Sequence, residues 1–157
     1  MKNIFFYSYP VTFIGIAEEN EAVCRVFFGN GKTPDGFKNV ETPLIKKAAA
    51  QLAEYFDGKR KKFDLPLVLH GTDFQIEVWK ALQNIPFGET RSYGEVAAII
   101  GNPKASRAVG MANNRNPIAI IIPCHRVIGH DGSLTGYAGG LELKRQLLEL
   151  EHKWAAV

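Results

Sequence analysis

Apolar residues in the first part of the chain come in dense, short runs. "NIFFYSYP" and "VTFIGIAEENEAVCRVFFG" are rich in Phe, Ile and Val, and the polar "EENEA" interrupts the second. This pattern predicts strands joined by a turn. Cys24 lies in the later run among Val23, Val26 and Phe27, where a small buried apolar residue is expected. The rhythm then changes. In "TPLIKKAAAQLAEYFDG", Leu44, Ala48, Leu52 and Phe56 recur at helical spacing, with Thr42 placed to cap and Pro43 to fill the first turn. Gly58 and the basic run "KRKK" follow, read as a solvated helix end with cations near the negative pole of the dipole.

"FDLPLVLHGT" reads as a linker, dividing the chain into a β-sheet/helix domain, 1–67, and a second domain, 68–157. Beyond it, "TDFQIEVWKALQNI", "SYGEVAAII" and "KASRAVGMANN" are helical in pattern, broken by "PFGET" and "GNP". The last two predict a helix-turn-helix with Lys104–Asn114 as its second helix. That helix is mostly small: Ala105, Ser106, Ala108, Val109, Gly110 and Ala112, with Arg107 its long cation. It lacks the long bidentate side chains that read base edges in a major groove. Its small residues suit close approach to another surface, or equally tight packing on another helix. "GGLELKRQLLELEHKW" closes the chain as a helix with Leu143, Leu147 and Leu150 on one face. Glu142, Glu149 and Glu151 are expected at its solvated surface.

The net charge of +3 changes this picture little, but its distribution does. Between residues 78 and 126, Lys80, Arg91, Lys104, Arg107, Arg115 and Arg126 face only Glu89 and Glu95. Such an excess attracts polyanions, although an ordinary solvated surface has the same composition. No apolar stretch is long enough to predict a membrane span, and "MKNIFFYSYP" lacks the marks of a signal peptide. Cys24 and Cys124, far apart and outside any CxxC pair, predict reduced thiols and a cytoplasmic setting.

Candidate chemistry centres on "IPCHRV", where Cys124 and His125 adjoin after the apolar run Ile118–Ile122. A thiol near its ordinary pKa needs a base to become a nucleophile. On a strand, neighbouring side chains point to opposite faces, so direct contact is disfavoured and a bridging water would have to join them. A carboxylate beyond the imidazole would fix its tautomer, and several are available. "GHDGSLTGYAGG" supplies five glycines for a loop that approaches a ligand closely.

The stretch from "GTDFQIEVWKALQNI" to "LLELE" resembles the catalytic domain of the methylated-DNA–protein-cysteine methyltransferases, the O6-alkylguanine-DNA alkyltransferases. "RAVG", "NP", "PCHRV" and "GYAGG", in that order, carry the resemblance. It implies an α/β (α+β) protein: an N-terminal ribonuclease H-like sheet-and-helix lobe and a C-terminal, mainly helical, winged-helix or helix-turn-helix domain. It implies direct-reversal repair of double-stranded DNA, bound through the minor groove with the O6-alkylguanine flipped out. The alkyl group would pass irreversibly to Cys124, once per molecule, with O4-alkylthymine left open as a second substrate. By motif position, His125 is the base acting through water, Glu151 its acidic partner, and Tyr93 the proton donor toward guanine N3. Arg107 is the finger filling the vacated stack, Asn102 and Ser106 belong to the DNA-binding helix region, and Asn116 shapes the loop before the thiol. Val127 and Ala138 border the guanine pocket. No cofactor or metal is implied: Cys24 and His70 are too few for the zinc site of some animal members. A monomer is expected. Ala119 and Ala138 depart from residues found in some members. A non-catalytic lesion-binding protein and a thiol hydrolase with a Cys-His pair are the alternatives.

Overall fold

The computed structural model describes residues 2–29 and 31–156, in two compact units, Met1–Leu69 and His70–Val157. The first unit carries strands β1 (Lys2–Ser8), β2 (Phe13–Glu19), β3 (Ala22–Phe28) and β4 (Phe37–Asn39), then helix α1 (Pro43–Phe56). The sheet order is β3-β2-β1-β4, antiparallel except for the β1–β4 pair. The "EENEA" turn is a hairpin in which Asn20 and Glu21 both take positive φ, 52° and 63°. Paired positive φ values match the twist of the flanking strands.

Central β2 is buried along most of its length. Ile4, Ala17 and Cys24 form one cluster, with Phe6, Phe27, Phe37 and Val68 packed on it. Gly15 is required there: the rings of Phe6 and Phe27 meet edge-on across it at 5.8 Å, and a Cβ would lie 2.6 Å from Phe27. Ile14, Ile16 and Glu18 share the other face by alternation. Glu18 accepts a hydrogen bond from Thr42 Oγ1 at 2.9 Å, while the same hydroxyl caps Ile45 N at 3.2 Å. Capping and sheet docking are thus joined in one residue. The basic run lies beyond α1, whose last turn holds no basic residue; Arg60 folds back onto Glu54 at 2.8 Å. Short β4, with half-buried Phe37, has no apolar run to announce it.

The second unit contains α2 (Asp73–Leu82), β5 (Arg91–Ser92), α3 (Tyr93–Ile99), α4 (Ser106–Asn114), a 3-10 turn at Cys124–Arg126, β6 (Val127–Ile128) and α5 (Leu141–Ala155). Thr72 and Ser92 each form a capping box, with Gln75 and Glu95 respectively. Buried Trp79 on α2 donates its indole N–H to Ala112 O at 2.9 Å, fixing α2 to α4. The second helix of the helix-turn-helix starts at Ser106, not Lys104. Residues Asn102–Ala105 instead make a turn, with Ala105 N bonded to Asn102 O at 3.0 Å and Pro103 at a position suited to it.

Two sequence expectations fail here. The apolar run before Cys124 is no strand: it turns, with Ile122 N bonded to Ile118 O at 3.0 Å and Ile120 at φ 69°. A β-branched residue with positive φ is strained and persists only where its surroundings over-determine it. Cys124 and His125 accordingly lie in a helical turn, and the alternation argument does not apply to them. The second failure is Glu151, which is buried at 1% exposure instead of solvated. The inward stripe of α5 is Leu143, Lys144, Leu147 and Glu151, with Leu150 only half-buried. Glu142 and Glu149 are exposed and both pair with Arg145.

Candidate active site

Asn116 builds the approach to the thiol. Its Nδ2 donates to Ile118 O at 3.3 Å and Ile122 O at 2.7 Å, and its Oδ1 accepts from Ile118 N at 3.0 Å. One side chain therefore closes the whole turn and holds Ile120 in its unfavourable backbone region. Pro123 follows, and Asn113 on α4, itself buried, donates to Cys124 O at 3.2 Å. The cysteine is thereby tied to α4 as well as to the loop.

Cys124 is 6% exposed, and burial pushes its thiol up. Hydrogen bonding from Asn116, the charge of Lys144 and hydrogen bonding from Tyr137 work against that rise without cancelling it. The resting sulfur is therefore a protonated thiol, and any nucleophilic role needs an acceptor for its proton.

His125 is fully buried, with Nε2 2.5 Å from Glu151 Oε2. Beside an ionised carboxylate, Nε2 is the protonated nitrogen and Nδ1 carries the lone pair. Nδ1 is buried and meets no protein hydrogen-bond partner among the described residues. A buried, unpaired acceptor of this kind is a place for a bridging water. Burial pushes the His125 pKa down, against the raising effect of Glu151.

Arg126 reaches the same carboxylate with two nitrogens, Nε to Oε1 at 2.8 Å and Nη2 to Oε2 at 3.1 Å. Its Nη1 donates to Ile85 O at 2.6 Å. Gly88 N approaches Glu151 Oε1 at 3.4 Å. Burial alone would raise the Glu151 carboxyl, but His125 and Arg126 together hold it well below the ordinary range.

Lys144 is a second buried cation. Its Nζ donates to Val127 O at 2.6 Å and Thr135 O at 2.8 Å, and burial pushes its pKa down to about 8. Tyr93 opens α3 directly after β5, whose Arg91 and Ser92 pair in parallel with Val127 and Ile128. That short ladder sets the Tyr93 ring near the cysteine segment. Its hydroxyl bonds Thr135 through Oγ1 at 2.9 Å and the carbonyl at 3.2 Å, and a Cβ on Gly110 would make ordinary contact with the ring at 3.7 Å.

The structure thus gathers buried Cys124, His125, Glu151 and Val127 with half-buried Asn116, and Tyr93 is linked to them through Thr135. Arg107 and Asn102 are exposed and Ser106 half-buried on the α3–α4 face, outside that cluster; Ala138 is exposed in the glycine-rich loop. Lys144, Arg126 and Asn113 were missed from sequence. Lys144 and Glu151 stand seven positions apart around Leu147, so helical periodicity extended by one position could have placed both inward. Among the described residues, no group of three or more His, Cys, Asp or Glu comes together to hold a metal ion, and no helix is long and apolar enough to cross a membrane.

Known proteins resemble this chain along both of its units. Residues 73–153 match the family model described as 6-O-methylguanine DNA methyltransferase, DNA binding domain, and residues 5–69 its ribonuclease-like domain. The chain is 55% identical over 146 residues to a methylated-DNA–protein-cysteine methyltransferase of Methanosarcina acetivorans, covering 90% of this chain and 93% of that one. It is 48% identical over 149 residues to the constitutive enzyme of that name in Bacillus subtilis, covering 90% of each. The crystal structure of Mycobacterium tuberculosis OGT in complex with DNA superposes with a TM-score of 0.90 at 46% identity, over 97% of this chain and 94% of that one. With both domain models matched in order and a buried cysteine, histidine and glutamate gathered behind the second of two short helices, the chain belongs to the methylated-DNA–protein-cysteine methyltransferase family.

Proposed function

We propose that this protein repairs O6-alkylguanine in double-stranded DNA by taking the alkyl group onto Cys124. The observation that carries the reading is the buried cysteine–histidine–glutamate cluster with its unpaired His125 Nδ1. The Cys124 proton passes to a bridging water, which gives one of its own to Nδ1. Glu151 at Nε2 stabilises the imidazolium that results. The sulfur then forms a bond to the alkyl carbon as the bond from that carbon to guanine O6 breaks. Tyr93 donates its hydroxyl proton to guanine N3, so the electron pair leaves on a neutral base. The thiol proton gained by His125 matches the one given up by Tyr93, and no net charge is created. Lys144, beside the sulfur, offsets the cost of a buried thiolate. A thioether is a poor leaving group, so each molecule acts once.

Exposed Arg107, half-buried Ser106 and the short side chains of α4 suit a minor groove, which is poor in sequence information and therefore fits an enzyme that inspects any sequence. Flipping a base costs a few kcal/mol, and Arg107 would replace part of the lost stacking. Asn102 lies in the turn leading into that helix, and Val127 and Ala138 would border the extruded base. The protein acts as a monomer in a reducing, cytoplasmic setting, consistent with its two free thiols.

Incubation with duplex DNA carrying a labelled O6-methyl group tests the reading. Label should move to the protein up to one equivalent and stop, with a mass increase confined to the Cys124 peptide, and Cys124→Ser should abolish it. Binding without transfer would make the protein a lesion-binding module instead. Many turnovers on a small ester would make it a thiol hydrolase.

A further inference from the structure

The Glu151 carboxylate poses a problem for the relay. A buried carboxylate 2.5 Å from an imidazole favours the protonated ring. A ring already protonated at Nδ1 cannot accept the thiol's proton. Burial of the ring works against that protonation first, and the structure adds a second counterweight aimed at the carboxylate itself: Arg126, 5% exposed, spends two of its donors on the two carboxylate oxygens.

We propose that Arg126 is a positioning residue for the proton relay: by neutralising Glu151 it keeps His125 an uncharged acceptor with its Nδ1 lone pair available. The inference rests on the alkyl-transfer reading above and deepens it. The resting site then holds one buried carboxylate balanced by one buried guanidinium, leaving the imidazole neutral. Proton transfer from Cys124 creates a thiolate and an imidazolium together, the first beside Lys144, the second beside Glu151. The geometry also accounts for the tautomer, because both carboxylate oxygens stay fixed as acceptors and Nε2–H must donate.

The charged groups facing His125 are few. From α5 come Glu151 and Lys144, and from its own turn Arg126, whose charge lowers the ring's pKa as Lys144's does. Cys124 is its titratable neighbour in the chain. Helix α2, also packed on this turn, turns Val78, Trp79 and Leu82 inward and leaves Asp73, Glu77 and Lys80 exposed. Near Gly88, Glu89 is directed to Arg91 at 3.0 Å. Lys144 spends its Nζ on the carbonyls of Val127 and Thr135, whereas Arg126 is bonded to the Glu151 carboxylate itself.

Arg126→Met is the direct test, read by NMR titration of the His125 ring and by the pH dependence of alkyl transfer. The ring should titrate at higher pH than in the parent. Transfer should fall at pH values below the variant's ring titration, by up to about tenfold for each pH unit by which that titration rises. The ratio of variant to parent rates should return toward one as pH rises. Arg126→Lys, which keeps the charge, should keep the ring near its parental titration. If Arg126→Met does not fold, Glu151→Gln compared with the Arg126→Met/Glu151→Gln double variant decides, because the buried pair is then removed as a unit. His125 should titrate higher in the double variant than in Glu151→Gln alone. An unmoved ring titration in a folded variant, with a pH-independent rate loss, would reduce Arg126 to a packing role and overturn the inference. Ring titration needs no alkyl transfer, so failure of the transfer reading would be seen separately, as absent labelling in the parent protein.

Discussion

Glu151 shows how far one residue's environment can depart from its type. Three protein donors converge on it from His125 and Arg126, and a fourth, Gly88 N, lies at longer range. Its burial is tolerable only because each lone pair is met. The consequence for stability has a definite sign. His125 is depressed from 6.5 in the native state, so below that pH the unfolded chain binds protons that the native chain refuses. Glu151 is depressed from 4.5, so the unfolded carboxyl is protonated around that pH while the native one stays ionised. Both contributions are present at neutral pH and are lost on acidification. The denaturant midpoint should therefore fall from about pH 6.5 downward and steepen through about pH 4.5. A midpoint constant from pH 7 to pH 4 would contradict the native charges assigned to this pair. Lys144, depressed to about 8 from 10.5, has the same sign higher up, adding stability as pH rises through that interval.

Between residue and molecule, short elements do the positioning. The two-residue β5–β6 ladder places Tyr93 beside the cysteine segment, and the Trp79–Ala112 bond keeps α4 behind it. The turn at Gly88 joins this group to the end of α5. Gly88 has φ 82°, and a Cβ there would lie 2.5 Å from Ala155 Cβ and 3.6 Å from Glu151 O. Gly88→Ala therefore combines left-handed strain with a side-chain collision that pushes the last turn of α5 outward. It should lower stability by about 1–3 kcal/mol in a denaturant melt. It should also slow transfer, because Glu151 opens onto that turn, with its carbonyl oxygen 3.6 Å from the added Cβ. Parental stability with the alanine in place would show that the collision is relieved at no cost.

For the whole molecule, the division of labour is between a buried reacting cluster and an exposed helical face. Arg107 sits on that face, and in the proposed reaction its contribution comes before chemistry, by holding duplex DNA open. Arg107→Ala should slow transfer from a modified base in duplex DNA by tenfold or more, of the order of the stacking it replaces. Transfer from the free modified base should change little, since no flipping is needed. Equal losses on both substrates, measured as second-order rate constants, would remove the finger role.

Much of this was legible in the chain because it depends on local spacing. The capped helices, the "EENEA" hairpin, the helix-turn-helix and the adjacency of thiol and imidazole all follow from residues within a turn or two of one another. The order of "RAVG", "PCHRV" and "GYAGG" pointed to the family. Contacts between distant residues were not legible. Nothing near Glu151 in sequence says that it turns inward, because its burial depends on His125 and Arg126 arriving from 25 or 26 positions away. The run before Cys124 looked like a strand because apolar β-branched residues favour strands; the three bonds of Asn116, with the backbone bonds inside the turn, make the turn the better state. Local propensity determined most of the elements and which reactive side chains adjoin; tertiary contact decided the turn before the thiol and which charges are buried together, and so the protonation state in which those groups wait.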